Sequence, residues 1–350
     1  MKKIFLLLIT ITTLFSCSKD DAVSPSGDIQ GRYIVLETPV NYYKTAYIDN
    51  STISLLGEYD VYGTRARYDI PYEQVNDTLI TVYNTSTQFS IAWEGNKLTI
   101  NSGTGDKYVL IVEASTPTAE EWVTTVNPIT KIQQASFSMD RIEDMTYYNG
   151  TVYTDGHRNL DGNYVITKID LQNFSTTDIA IAPANTTTLG YNDNIEYVGS
   201  NEFWVYDWGN PNDHMFEFNA NTLEKKSTVL MPYQFGSIYH MGSNETVLYG
   251  SFYEDIRKWD FVGQKWGNKI ELGTQLLDGL DVDDEYLYIA GNSTIHKYSL
   301  NPFKAVAAYD ISKNDTYSFR GFTLTYGNQI VASVYNYTTT KNEIVTITLP

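Results

Sequence analysis

Short turn-and-strand units recur at near-regular spacing through the C-terminal two-thirds of the chain, and this repeat constrains the fold more than any other feature. Aligning the units on one apolar strand position gives steps of 51, 44, 40 and 43 residues, anchored at Val152, Phe203, Val247, Leu287 and Ile330. A second series has steps of 49, 41 and 39 residues, anchored at Ile169, Phe218, Trp259 and Tyr298. Two parallel series predict one supersecondary unit that is repeated five times.

A repeat of this length with about four strands per unit is typical of a β-propeller blade. Residues 125–350 provide five blades of about 45 residues, whereas a sixth blade would need a hidden unit, for example in 178–195. An extra strand around 131–139 precedes the first unit, and the last unit lacks its outermost strand. We therefore expect an all-β chain whose propeller is five-bladed, with six blades as the alternative, and is closed by pairing of its first and last strands.

One repeat unit carries a more specific phrase. Asp278-Gly279-Leu280-Asp281-Val282, followed by Tyr286-Leu287-Tyr288-Ile289-Ala290, resembles blades of the YncE-like and quinoprotein-like propellers. The resemblance implies the propeller fold and says nothing about activity, because propellers host many functions.

Residues 29–115 precede the repeat and form a separate set of short alternating strands. The start Gly31-Arg32-Tyr33 and the successive hairpins resemble the small lipocalin-like domains at the N-terminus of many surface lipoproteins. The resemblance implies a small barrel, which is either filled by side chains or holds one small ligand. The proline-containing segment 116–124 is predicted to link this domain to the propeller at 125–350.

The first seventeen residues are organised as an export signal. Lys2 and Lys3 precede an apolar run that ends at Leu14 and is too short to span a membrane. The ending Leu14-Phe15-Ser16-Cys17 resembles the lipobox of bacterial lipoproteins, and Cys17 is the only cysteine of the chain. This resemblance implies a signal peptide at 1–16, cleavage before Cys17 and acylation of that residue.

The residues after Cys17 predict the location of the protein. Ser18-Lys19-Asp20-Asp21 resembles the acidic signal that directs lipoproteins to the outer face of the outer membrane in some Gram-negative lineages. The alternative is an ordinary solvated tether. We expect a lipidated tether at 17–28 and an outer-membrane lipoprotein exposed on the cell surface.

Charge excludes one class of partner. The chain has 42 acidic and 24 basic residues, for a formal net charge of −18. Such a surface repels nucleic acid, so no nucleic-acid partner is expected. The partners that remain are the outer membrane, reached through the lipid, and a glycan or an outer-membrane transporter.

Motifs for metal, cofactor or nucleophile chemistry do not occur in the sequence. The four histidines are widely separated along the chain, so no metal site and no cofactor is predicted. The acidic run 281–285 offers oxygens that suit Ca²⁺, but it lacks the glycine and the distal glutamate of an EF-hand loop. We interpret this run as a solvated turn.

The repeat also places candidate catalytic residues. In a propeller, the innermost strand of each blade starts at one mouth of the central channel, where ligands often bind. Residues near these starts converge, and a glycosidase needs converging acids. The candidates are Glu143, Asp144, Asp278, Arg320 and His240. The alternative is that these polar residues only solvate the channel.

The densest aromatic cluster predicts a ligand platform. Alternation along 203–208 places Trp204, Tyr206 and Trp208 on one face of a strand. Aromatic faces stack on the apolar face of a pyranose, so these three residues are the ligand-binding candidates. The alternative is packing between blades, which also uses large aromatic side chains.

Three functions follow in order of preference. The first is a non-enzymatic cell-surface module that binds a glycan, a peptide or a partner protein. The second is a structural or assembly component of the envelope. The third is a propeller glycoside hydrolase or lyase that uses the channel carboxylates.

Overall fold

The computed structural model of the chain describes residues 27–82, 87–133, 142, 144–154, 157–158, 164–182, 191–208, 214–230, 238–252, 255–272, 278–311 and 317–350. It divides into two compact units. One comprises the chain up to Ser54 together with Asp69–Thr116, and the other comprises Leu55–Tyr68 together with Pro117–Pro350.

Eight strands form a closed barrel in which sequence neighbours pair and the last strand returns to the first. The strands are β1 (Gly31–Glu37), β2 (Tyr43–Ile48), β3 (Thr52–Glu58), β4 (Arg65–Asn76), β5 (Leu79–Val82), β6 (Gln88–Glu94), β7 (Lys97–Asn101) and β8 (Lys107–Val112). Closure is antiparallel, with Tyr33 opposite Val112. This confirms the predicted N-terminal barrel.

The barrel core follows from the alternation of its strands. Apolar side chains at every second position of β6 and β7 point to one face, so Leu98 and Ile100 are buried while the alternating Thr99 is only partly covered. Tyr33, Ile80 and Leu110 join them with at most 1% of their surface exposed. These side chains form the hydrophobic core of the barrel.

The predicted linker contains a short helix, α1 (Ala119–Trp122). Thr118 caps it, since its hydroxyl accepts from the N–H of Glu121 while the Glu121 carboxylate accepts from the N–H of Thr118. Two short strands follow, β9 (Thr124–Thr125) and β10 (Thr130–Gln133).

Five antiparallel sheets follow, one per predicted repeat unit. Blade 1 has β11 (Met145–Tyr148), β12 (Thr151–Thr154), β13 (His157–Arg158), β14 (Tyr164–Asp170) and β15 (Thr176–Ala182). Blade 2 has β16 (Tyr191–Tyr197), β17 (Glu202–Trp208), β18 (His214–Asn219) and β19 (Lys225–Leu230).

The other three blades have the same order from the centre outward. Blade 3 has β20 (His240–Ser243), β21 (Leu248–Phe252), β22 (Asp255–Asp260) and β23 (Lys265–Glu271). Blade 4 has β24 (Gly279–Val282), β25 (Tyr286–Gly291), β26 (Thr294–Leu300) and β27 (Phe303–Asp310), and β9 joins β27 in parallel. Blade 5 has β28 (Tyr317–Leu324), β29 (Gln329–Asn336) and β30 (Lys341–Thr348).

The first strand of the propeller completes its last blade. β10 pairs antiparallel with β30, with Lys131 opposite Val345 and Gln133 opposite Glu343. The fifth blade therefore has the order β10-β30-β29-β28. This confirms both the five-bladed propeller and the predicted mode of closure; the rest of the strand predicted at 131–139 lies outside the described residues.

Apolar layers between the sheets hold the ring together. One layer joins blades 4 and 5 through residues such as Tyr288, Phe319 and Phe322, each at most 1% exposed. Another joins blades 2 and 3 through Trp204, Met241 and Trp259. Burying such side chains contributes roughly 1.5–3 kcal/mol each, so the packed layers fix the positions of the inner strands.

Candidate functional site

The five innermost strands surround a central channel. Each of β11, β16, β20, β24 and β28 contacts the inner strand of the next blade, and β28 contacts β11. One buried apolar residue on each inner strand serves to align the five strands, and these residues are Met145, Ile195, Met241, Leu280 and Phe322.

The residues on either side of these apolar positions point the opposite way, toward the channel, because side chains alternate along a strand. They form two levels. The start level contains Asp144, Asn194, His240, Gly279 and Gly321. The pocket level contains Thr146, Glu196, Gly242, Asp281 and Thr323.

Asp144 and His240 meet at the start level. Asp144 is fully buried, and its Oδ2 accepts from the N–H of Met241 at 3.2 Å. Its Oδ1 lies 3.8 Å from Nδ1 of His240. Burial raises the pKa of Asp144 to about 6, and the nearby His240 and the N–H of Met241 oppose that rise. This pair links blade 1 to blade 3.

Glu196 and Asp281 dominate the pocket level. Asp281 Oδ1 accepts from the N–H of Val282 at 2.7 Å, and its Oδ2 accepts from the N–H of Leu324 at 2.7 Å and from the Thr323 hydroxyl at 3.1 Å. Glu196 Oε1 accepts from the Thr146 hydroxyl at 3.1 Å. Glu196 is only 3% exposed, yet its Oε2 has no hydrogen-bond partner among the described residues.

Burial raises the pKa of both pocket acids above the ordinary values of Glu and Asp. Burial raises the pKa of Glu196 far above its usual value, and repulsion from Asp281 and Asp144 raises it further. Burial also raises the pKa of Asp281 to about 7, although the hydrogen bonds from Leu324, Val282 and Thr323 oppose the rise. Glu196 therefore releases its proton less readily than an ordinary glutamate, and its protonated form can donate as well as accept a hydrogen bond.

A pocket of about 180 Å³ opens over this level. Such a volume holds on the order of ten water molecules, or one small ligand. Residues of all five blades line it: Thr146, Tyr147, Glu196, Tyr197, Ser243, Asn244, Glu245, Asp281, Val282, Asp283, Thr323 and Leu324.

The structure brings together only some of the predicted catalytic residues. Asp144 and His240 face each other in the channel, as described above. Asp278 is partly buried and accepts from the N–H of Asn292 at 2.7 Å, and Arg320 is exposed. Neither Asp278 nor Arg320 lines the pocket. Glu143 lies outside the described residues.

Two of the three predicted platform residues are buried. Trp204 is 8% exposed and Tyr206 is 1% exposed, and both pack in the layer between blades 2 and 3. The Trp204 ring meets the Trp259 ring edge-on, with 6.0 Å between their centroids. Burial leaves neither ring open for stacking on a ligand. The side chain of Trp208 lies outside the described residues.

The acidic run 281–285 only partly matches its interpretation as a solvated turn. Asp284 and Glu285 are exposed, as expected, but Asp281 lies inside β24 and is 4% exposed. That interpretation of Asp281 was wrong, because the strand continues to Val282 and alternation turns its carboxylate into the channel. In the part of the chain that the structure describes, no group of three His, Cys, Asp or Glu residues is placed to hold a metal ion.

Comparison with known proteins does not assign the chain to a family. The sequence matches no family model. A search of curated proteins finds none with significant similarity.

The described residues include no helix of the length and apolarity that crossing a bilayer requires. What the fold and the site define is a barrel-and-propeller protein with an acidic pocket at the channel mouth.

Proposed function

We propose that this protein is a non-enzymatic binding module that is held at the outer surface of the outer membrane by acylated Cys17. The observation that carries the binding role is the buried Glu196 carboxyl oxygen. Glu196 lines an open pocket, and this oxygen has no partner among the described residues. A buried polar atom without a partner costs about 1–3 kcal/mol, and a ligand that supplies the missing hydrogen bond offsets this cost.

The hydrogen bonds of Asp281 favour binding over hydrolysis. A two-carboxylate glycosidase needs one acid to protonate the leaving group and a second carboxylate to attack or to activate water. Glu196 has one oxygen available, but both oxygens of Asp281 already accept backbone N–H groups. Asp281 therefore serves to join blades 4 and 5.

The sequence supports the location. The segment that ends at Cys17 resembles a lipobox, and the acidic residues Asp20 and Asp21 resemble the export signal of surface lipoproteins. Several acyl chains hold a protein stably on a membrane, whereas a single chain holds it only marginally. A glycan, a peptide or an outer-membrane transporter is the partner class that such a position makes available.

Ligand screening of the full chain in detergent tests the binding role. Thermal unfolding is measured against libraries of small sugars, amines and peptides, with Glu196→Gln and the exposed Glu224→Gln as matched variants. We expect hits that stabilise the wild type and the Glu224→Gln protein and that fail with Glu196→Gln. Hits that are unaffected by Glu196→Gln would place the ligand elsewhere, and cleavage of a bound sugar would favour the hydrolase.

A further inference from the structure

The charged side chains among the described residues that line the pocket are all acidic. Glu196 and Asp281 form its floor, and Asp283 and Glu245 stand at its edge. None of its lining residues is Lys, Arg or His. Anionic ligands are repelled by such a surface, and neutral ligands gain nothing from its charge, whereas a cation is attracted by the edge acids and by each floor acid once it ionises.

We infer that the ligand of this pocket is a small organic cation that presents a primary ammonium group. This inference rests on the proposed binding function and specifies its ligand class. An ammonium group carries three N–H donors and no acceptor. Glu196 Oε2 is buried, has no partner among the described residues, and so offers the acceptor for one of them. Tyr147 and Tyr197, also in the lining, supply aromatic surface that attracts cations.

The same geometry excludes two other cations. A divalent metal ion needs several protein oxygens at once, but the described acids are not grouped to hold one. A guanidinium group prefers a carboxylate with both oxygens free for a bidentate contact. Glu196 offers only one, because Thr146 occupies the other. A compact ammonium fits a single free oxygen.

Binding of a cation is linked to proton release. The ionisable groups that act on Glu196 are Asp281 on β24 and Asp144 beside β11, and Glu245 and Asp283 line the same pocket. Burial and mutual repulsion raise the pKa of Glu196 in the free protein. An ammonium ion stabilises the ionised carboxylate and so favours release of its proton. Affinity for an amine therefore rises with pH as Glu196 ionises, as long as the alkylammonium ion keeps its own charge.

Calorimetric titration of the full chain in detergent tests this inference with n-butylammonium chloride and its neutral analogue n-butanol. At pH 8 we expect the wild type to bind n-butylammonium and to bind n-butanol at least tenfold more weakly. Glu196→Gln is expected to weaken n-butylammonium binding tenfold or more. Glu245→Gln, at the exposed edge, should weaken it about twofold, and Glu224→Gln should leave it unchanged.

The probe set also separates the sources of the ammonium group. Nα-acetyl-lysine methylamide presents the amine as a lysine side chain, so tighter binding than for n-butylammonium indicates a peptide ligand and weaker binding a free amine. Equal binding of n-butanol, or binding that Glu196→Gln and Glu245→Gln leave unchanged, overturns the inference. If neutral probes bind and Glu196→Gln abolishes their binding, the ligand class is wrong but the binding module stands. If no probe in this or the wider screen binds, both fail.

Discussion

The carboxylate of Asp281 in blade 4 accepts a 2.7 Å hydrogen bond from the backbone N–H of Leu324 in blade 5. Asp281→Ala would leave that N–H without its acceptor in a buried channel, and the Thr323 hydroxyl would keep only its 3.3 Å hydrogen bond to the Leu324 carbonyl. Each unsatisfied group costs about 1–3 kcal/mol, so we expect a large drop in the midpoint of thermal unfolding. Asp281→Asn keeps an acceptor oxygen and should lower the midpoint of thermal unfolding by a smaller amount. Equal melting of all three proteins would show that this contact does not hold the blades.

The raised pKa values of the channel acids predict that stability depends on pH. Burial raises the folded-state pKa of Asp281 to about 7 and that of Asp144 to about 6, whereas both acids ionise near pH 4 in the unfolded chain. The folded state therefore binds more protons between about pH 4 and 7, and the contribution of these groups to stability falls as pH rises through that window.

Each such group changes the free energy of unfolding by at most about 1.4 kcal/mol per pH unit. Unfolding free energies measured from pH 4.5 to 8 should fall less steeply for Asp281→Asn than for the wild type. A variant that keeps the wild-type slope would contradict this prediction.

Close packing around the channel predicts that Gly242 tolerates no side chain. A Cβ at this position would lie 2.5 Å from the Cα of Asp281 and 2.8 Å from Cδ2 of Leu280. Backbone of the next inner strand cannot yield without shifting the pocket floor, so Gly242→Ala should destabilise by about 1–3 kcal/mol. Gly267→Ala is the control, because its Cβ would meet only the carbonyl oxygen of Lys258 at 3.2 Å. Similar losses from both variants would mean that the channel is more loosely packed.

Acylation of Cys17 predicts the behaviour of the exported chain. Cys17→Ser should abolish incorporation of labelled palmitate and release the protein from the membrane fraction, whereas Ser16→Ala, which keeps a small residue before the cleavage site, should retain both. Protease treatment of intact cells should digest the wild type. Digestion only after lysis would contradict surface exposure.

Repetition made the fold predictable from the sequence. The five blades and closure by β10 follow from strand alternation and regular spacing, because every blade must bury the same apolar positions, whereas the barrel was implied by the resemblance of residues 29–115 to lipocalin-like domains. Those anchors, among them Val152, Phe203 and Leu287, are buried as the repeat predicts.

The site was harder to predict because it depends on which alternate residues face the channel on each of five separate strands. Reasoning from strand starts selected Asp144 and His240, which do meet, and also selected Asp278, which lies off the pocket. Glu196, on the innermost strand of blade 2, was not among the candidates. Thr146, Glu196, Asp281 and Thr323 each follow a buried apolar residue by one position, and aligning the inner strands on those residues would have found them.

Closure of the propeller sets an order of events for a growing chain. β10 leaves the ribosome before any strand of blade 1, and its partner β30 follows roughly 200 residues later, since Gln133 pairs with Glu343. Until then, the early blades have no lateral neighbour on one side, and unpaired strand edges invite aggregation. Translation that stops shortly before β30 leaves the ring open. The protein is therefore expected to depend on chaperone protection during synthesis until its last strand has emerged.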